Sequence, residues 1–383
     1  MTRRIAIAEP DLSRLEEEYA LAAIRSTWIS STGEFLARFE REFASSSSVA
    51  HALAVSNGTT AIHLALAALN VGPGDEVIVP SMTYIATANA VRYCGAEPVF
   101  VDVEPRTWCI DPSRVEEAIT PRTKGMIAVH LLGHPADMDP LLDIASIHGL
   151  WVVEDAAEAT FATYKGRTVG SLGRIGTFSF FGNKVLTCGE GGAVTFQDPA
   201  LLTRLRMLRG QGMDPRQRYY FPIVGFNYRL TNVAAAILCG QMERRGDILR
   251  RRREIVALYE RRLRGIPGIG VRDDAAWATT SPWMFAVTLD GEGGVDRDSV
   301  ARRLAEAGIE TRPLFVPIHA LPPYRVAHGR RGGDLPLTTR LGRDGIMLPT
   351  HTLLTDDDIH EVCDRLVAAV EATRPSQGRL RVA

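Results

Sequence analysis

Between about residues 50 and 200 the chain alternates short apolar, β-rich runs with helical patterns, and that rhythm confines it to a mostly parallel sheet with helices on both faces. The runs read as strands at about 52–55, 76–79, 98–103, 126–130 and 150–155, with helices at about 61–69, 83–93, 111–119 and 138–148. Ligands in such a sheet collect at the carboxyl ends of the strands. The rhythm then changes. Residues 177–181 and 192–196 look like strands flanking Gly189-Glu190-Gly191-Gly192, and a long helix is expected over about 231–263. The expected fold class is α/β, with a large domain over residues 1–265 and a smaller α+β domain over 266–383. The latter carries a strand at 283–289, helices near 296–307 and 355–369, and a frayed basic tail from Arg374.

Charge and cysteine usage exclude several classes of function. The 44 basic and 45 acidic residues nearly cancel, so no positive field is available for a nucleic acid or an anionic membrane surface. The arginine-rich stretch 244–264 is interleaved with Glu243, Asp247, Glu254 and Glu260, as on a solvated or interface face. No apolar run approaches the ~18 residues of a membrane span. The five cysteines are odd in number and scattered without a C-x-x-C pair, which argues against a disulfide framework or a structural zinc and for a reducing cytoplasm. Histidines show no metal-ligand spacing: His130 and His134 are four apart, but on a strand and its following loop. No metal is expected. Only Lys124, Lys165 and Lys184 are lysines. A lysine in so arginine-rich a chain points to a task guanidinium cannot perform, such as a nucleophilic amine that loses its proton.

Two motifs carry chemistry. In Ser56-Asn57-Gly58-Thr59-Thr60 a strand ends in a glycine turn and a helix begins, a junction whose free N–H groups and dipole seat an anion. An N-cap with a turn glycine has the same pattern. The second motif joins Asp155, at the end of an apolar strand, to Ser179 and Lys184 five residues apart. A carboxylate buried at a strand end needs a cationic partner, and a protonated pyridine nitrogen is one. An acid for a ring nitrogen, a hydroxyl and helix terminus for a phosphate, and a desolvated lysine for a Schiff base together describe pyridoxal phosphate. Taken singly, Asp155 could be a helix cap and Lys184 a loop charge.

The segments Gly58-Thr59, Pro80-Ser81-Met82-Thr83-Tyr84, Glu154-Asp155-Ala156-Ala157-Glu158, Thr177 to Lys184, Gly189 to Gly192 and Gly225-Phe226-Asn227-Tyr228-Arg229 resemble, in order and spacing, the DegT-type sugar aminotransferases. The resemblance runs from about Ile5 to Val370. It implies the aspartate aminotransferase fold and pyridoxal 5'-phosphate as cofactor. Lys184 would carry the cofactor and Asp155 would keep its ring nitrogen protonated. Tyr84 would stack on the ring, and Ser179 with the Gly58-Thr59 backbone would hold the phosphate. Glu158 would lie near the ring hydroxyl. Asn227 would reach the phosphate of a neighbouring subunit, which makes a homodimer with shared sites. Arg312 and His319 match positions near the nucleotide-sugar pocket.

Within the family, Ser26 to Ser30, Arg209 to Pro215 and Thr311 to Phe315 look most like the perosamine-forming members, with GDP-4-keto-6-deoxymannose as acceptor and L-glutamate as donor. Thr160 and Phe161 depart from that pattern, standing where those members have a histidine and a glycine beside the sugar. Some relatives replace the Schiff-base lysine by histidine and dehydrate the sugar. Lys184 is retained here, so the resemblance implies amino transfer. Two other readings stand beside it: an aminotransferase acting on a cyclitol or other cyclic ketone, and a non-catalytic regulatory protein of the same fold.

Overall fold

The computed structural model describes residues 4–329 and 333–374. The expected tail beyond Arg374 lies outside the described residues. In chain order the strands are β1 (His51–Val55), β2 (Glu76–Pro80), β3 (Glu97–Val101), β4 (Thr123–Val129), β5 (Trp151–Asp155), β6 (Thr163–Tyr164), β7 (Arg167–Thr168), β8 (Ile175–Ser179), β9 (Gly192–Phe196), β10 (Ile269–Val271), β11 (Ala278–Thr279), β12 (Phe285–Leu289), β13 (Arg312–Pro313) and β14 (Gly345–Leu348).

A seven-stranded sheet in the order β1-β9-β8-β5-β4-β2-β3 forms the centre. Only β9 runs against its neighbours. The cause is the connection: β8 reaches β9 through a loop without a crossover helix, so the chain must return antiparallel. That loop carries Lys184. The parallel strands are covered on both sides, and their residues alternate between two cores. Ala52, Ala54, Met126, Ala128 and Val152 face one; Leu53, Val55, Ile127, Val129 and Val153 face the other.

The smaller sheet, β10-β12-β14-β13, is antiparallel. Its core takes in Ile255, Leu258, Tyr259 and Leu263 from the end of the long helix Asn232–Leu263, and also Ile5, which bridges to Ile309. Ala235, Leu238 and Met242 near the start of that helix pack instead under the large sheet, so one helix braces both cores.

Several bounds differ from those expected. The helix anticipated from 83 begins at Ala86, leaving Tyr84 in the turn before it. The strand anticipated from Trp283 begins at Phe285, because pairing with β14 starts there, at Phe285 against Leu348. Among the described residues no helix is long and apolar enough to cross a membrane.

Candidate active site

The carboxyl ends of β1, β5 and β8 open onto a cavity of about 540 Å³. At its β1 end the helix Gly58–Ala68 is capped by Asn57, whose side chain accepts from the Thr60 N–H at 2.9 Å, while Thr60 Oγ1 accepts from the Asn57 N–H at 3.2 Å. This reciprocal cap occupies the Asn57 and Thr60 N–H groups and leaves those of Gly58 and Thr59, between them, at the cavity mouth. Ser179, the last residue of β8, sits directly over Gly58. A Cβ at position 58 would lie 2.7 Å from Ser179 Cβ and 3.1 Å from its hydroxyl. Any side chain there would fill the cradle, which is the physical reason for glycine.

Asp155 ends β5, buried, with Oδ2 accepting from the Thr87 hydroxyl at 2.8 Å and Oδ1 from the Ala157 N–H at 3.2 Å. Burial raises its pKa, against the pull of Thr87, Ala157 and Lys184. The strand end is pinned from behind by Glu154, which accepts from the N–H groups of Gly170, Leu172 and Gly173 and pairs with His130 Nε2 at 3.0 Å. The Ala136 N–H donates to His130 Nδ1 at 3.0 Å. That nitrogen is therefore the acceptor, and the Nε2–H donates to Glu154.

Lys184 is half-buried, its Nζ 3.8 Å from the centre of the Trp283 ring. Burial depresses its proton affinity, with Glu158 and then Asp155 opposing. Trp283 is held by its own Nε1–H, which donates to the Asn183 carbonyl at 2.8 Å. It stacks with Phe315 at 6.5 Å and 13°, and Phe315 meets Tyr84 edge-on at 6.2 Å. These three rings wall one side of the cavity.

Glu158 is buried and accepts from the Leu132 N–H at 2.8 Å. Burial lifts its pKa from 4.5 to about 7, with Lys184 and the Leu132 N–H pulling it back. A folded-state value above the unfolded one means a stabilising contribution that is full below about pH 4.5 and lost as pH rises through about 7. Glu158→Gln is expected to leave the apoprotein unchanged near the lower limit. Above the upper one it should gain up to about 3 kcal/mol, read from thermal melts across that range.

Of the residues singled out from sequence, Gly58, Thr59, Tyr84, Asp155, Glu158, Ser179, Lys184 and Arg312 line this one cavity. Asn227 is exposed and bridges to Gly210, away from it. His319 is not among the lining residues; its Nδ1 lies 2.8 Å from Ser81 Oγ. Thr160 is buried, its carbonyl accepting from the Ser281 hydroxyl at 2.6 Å. Phe161 adopts φ 66° and packs its ring 5.7 Å from Phe43. Both Thr160 and Phe161 thus join the packing beneath the large sheet, not the cavity wall expected of them. Sequence reasoning missed Thr87, which has no motif of its own. It read Trp283 only as a strand residue and Phe315 only as part of a resembling segment.

Residues 10–367 match the DegT/DnrJ/EryC1/StrS aminotransferase family. The chain is 51% identical over 370 residues to the GDP-perosamine synthase of Caulobacter vibrioides, covering 96% of this chain and 98% of that one. It is 40% identical to the GDP-perosamine synthase of Vibrio cholerae, covering 94% and 97%. Among solved structures, Spr1654 of Streptococcus pneumoniae in its PLP form superposes with a TM-score of 0.90 at 27% identity, over 97% of this chain and 100% of that one. The chain belongs to the DegT/DnrJ/EryC1/StrS aminotransferase family and is a pyridoxal-phosphate-dependent aminotransferase.

Proposed function

We propose that this enzyme moves the amino group of L-glutamate onto C4 of a nucleotide-linked 4-keto-6-deoxy sugar, with GDP-4-keto-6-deoxymannose favoured. The observation that carries the substrate is the 51% identity to a GDP-perosamine synthase over nearly the whole of both chains. The cavity fits the cofactor on its own terms. It offers a cradle that only glycine leaves open, a buried carboxylate at a strand end and an amine whose proton affinity its surroundings lower.

In this reading the first N–H groups of the helix at Gly58 and Thr59, with the Ser179 hydroxyl, would hold the phosphate. Asp155 would take the ring nitrogen as its partner, Tyr84 would cover the ring and Glu158 would serve the ring hydroxyl. Bound there, pyridoxal phosphate supplies the electron sink that lets an amino group pass from one carbon skeleton to another. Lys184 Nζ then does the proton work. Its lowered proton affinity leaves neutral amine available to take the proton from Cα of glutamate and to return one at the sugar carbon. Thr87 and the Ala157 N–H fix the Asp155 carboxylate during both half-reactions. Arg312, exposed at the cavity mouth, meets the anionic nucleotide, and His319 supports that rim through Ser81.

The test supplies L-glutamate with GDP-, dTDP- and UDP-linked 4-keto sugars and a cyclitol ketone, with product mass detection. Amination of the GDP sugar is expected. Turnover only with the dTDP and UDP sugars, or only with the cyclitol, would overturn the acceptor, as would no turnover with any of them.

The same proposal includes a homodimer in which Asn227 of one protomer completes the phosphate site of the other, since Asn227 is exposed and outside its own chain's cavity. Lys184→Ala and Asn227→Ala chains, each poor alone, should regain activity when mixed into heterodimers. Verified heterodimers without activity would contradict shared sites. The proposed compartment is the cytoplasm, in keeping with five unpaired cysteines.

A further inference from the structure

We propose that Arg272 is a positioning residue for Glu158, holding that active-site carboxylate through the single peptide that joins Leu131 to Leu132. The inference rests on the reading of the cavity as the catalytic site.

Arg272 follows β10 of the smaller sheet. Its guanidinium donates to the Leu131 carbonyl at 3.2 Å and to the Thr107 carbonyl at 3.4 Å. It lies 5.5 Å from the centre of the Trp108 ring, and its side chain is only 13% exposed. The Leu132 N–H, on the same amide group as the Leu131 carbonyl, donates to Glu158 Oε2 at 2.8 Å. A cation drawing on a carbonyl oxygen polarises the whole amide and makes its N–H a stronger donor. Arg272 therefore acts on Glu158 through one resonance unit as well as through space.

The turn that aligns this amide is strained and clamped. Leu132 takes a left-handed conformation, φ 53° and ψ 31°, which crowds the Cβ of a non-glycine residue against the following carbonyl. Gly133 next to it has φ 87°, and a Cβ there would come within 2.1 Å of the Ser281 carbonyl oxygen. The Ser281 N–H donates back to Gly133 O at 3.0 Å. Such an outlier persists only where its surroundings over-determine it. Here those surroundings are contributed by the segment from Arg272 to Ser281, which lies between β10 and β12 of the smaller sheet.

The charged groups facing Glu158 are Lys184, Asp155 and Arg272. The charged and titratable groups facing Arg272 are Asp274, with Oδ1 at 3.9 Å, then Cys109, Glu260 and Glu158, and also His134, whose proton affinity the guanidinium helps to lower. Removing the guanidinium leaves Asp155 in place and withdraws one of the two cations, so Glu158 should hold its proton to higher pH.

Thermal melts of the full chain across about pH 5 to 9 test this without cofactor or substrate, so failure here and failure of the proposed function are distinguishable. In each background the difference between a chain and its Glu158→Gln counterpart isolates the Glu158 titration. In the parent chain its midpoint should lie near 7. In Arg272→Gln it should move up by about half a unit or more, roughly a threefold rise in proton affinity. Arg272→Lys, which keeps the charge but loses the planar fork, should move it less than half as far. A midpoint that Arg272→Gln leaves in place, or that both substitutions shift equally, would overturn the proposal. Should the glutamine variant not fold, 15N-leucine spectra of the parent and Arg272→Lys chains decide: the Leu132 amide is expected to titrate with the Glu158 midpoint and to change its shift when the guanidinium is replaced, and a Leu132 amide that the substitution leaves in place would overturn it.

Discussion

Lys184→Arg is expected to lose about three orders of magnitude or more in turnover although the positive charge remains. Guanidinium stays protonated at any accessible pH, so it can neither join covalently to the cofactor nor accept a proton from the substrate. In the proposed role the native amine is prepared for both tasks by its surroundings. Burial against Trp283 depresses its proton affinity, and Glu158 and Asp155 limit how far it falls. The same burial predicts a stability effect of opposite sense. With the folded value below the unfolded one, the folded chain holds this proton less tightly, and the buried amine costs stability at every pH below the unfolded value of 10.5. Lys184→Met should therefore be inactive and, as apoprotein at neutral pH, more resistant to heat than the parent. A variant equally dead but less stable would mark Lys184 as a structural residue.

Asp155→Asn should lower turnover by about two to three orders of magnitude, the usual cost of removing one preorganised electrostatic partner from a reacting group. Asparagine fills the same space and can still accept from Thr87 or the Ala157 N–H, but it carries no charge to keep a ring nitrogen protonated. Burial raises the Asp155 pKa above its unfolded value. Its stabilising contribution is thus full below about 3.8 and lost as pH rises through the folded value. The Asn apoprotein should accordingly be more stable than the parent at neutral pH while its holoenzyme is nearly inert. Steady-state rates with glutamate and paired thermal melts read both effects.

The parallel sheet was legible because strands covered on both faces read as continuous apolar runs, and those that open 126–130 and 150–155, before His130 and Glu154, stand out for that reason. That Gly58, Asp155 and Ser179 share one cavity was legible because they sit at strand ends, and those ends open onto it. What the pattern does not carry is direction after a turn. Phe161 looks like a wall residue in sequence, yet a single positive φ sends its ring onto Phe43. Nor does it carry convergence from distant segments. Trp283 and Phe315 meet Lys184 and Tyr84 only because the smaller sheet docks over the cavity. Arg272 is a stronger case: nothing local marks an arginine after a three-residue strand as a neighbour of Glu158, and the two are linked through a turn more than a hundred residues from the arginine.

The assignment of the cofactor to Lys184 is the claim on which every other role depends. Borohydride reduction of the holoenzyme traps the cofactor on whichever lysine carries it, and the chain offers only Lys124, Lys165 and Lys184. Lys124 faces Asp75 and Lys165 is paired with Asp139 at 2.7 Å, both side chains about half exposed to solvent. Peptide mapping should find the pyridoxyl label on the peptide containing Lys184 alone. Label on the Lys124 or Lys165 peptide, with Lys184 unmodified, would contradict the site described above.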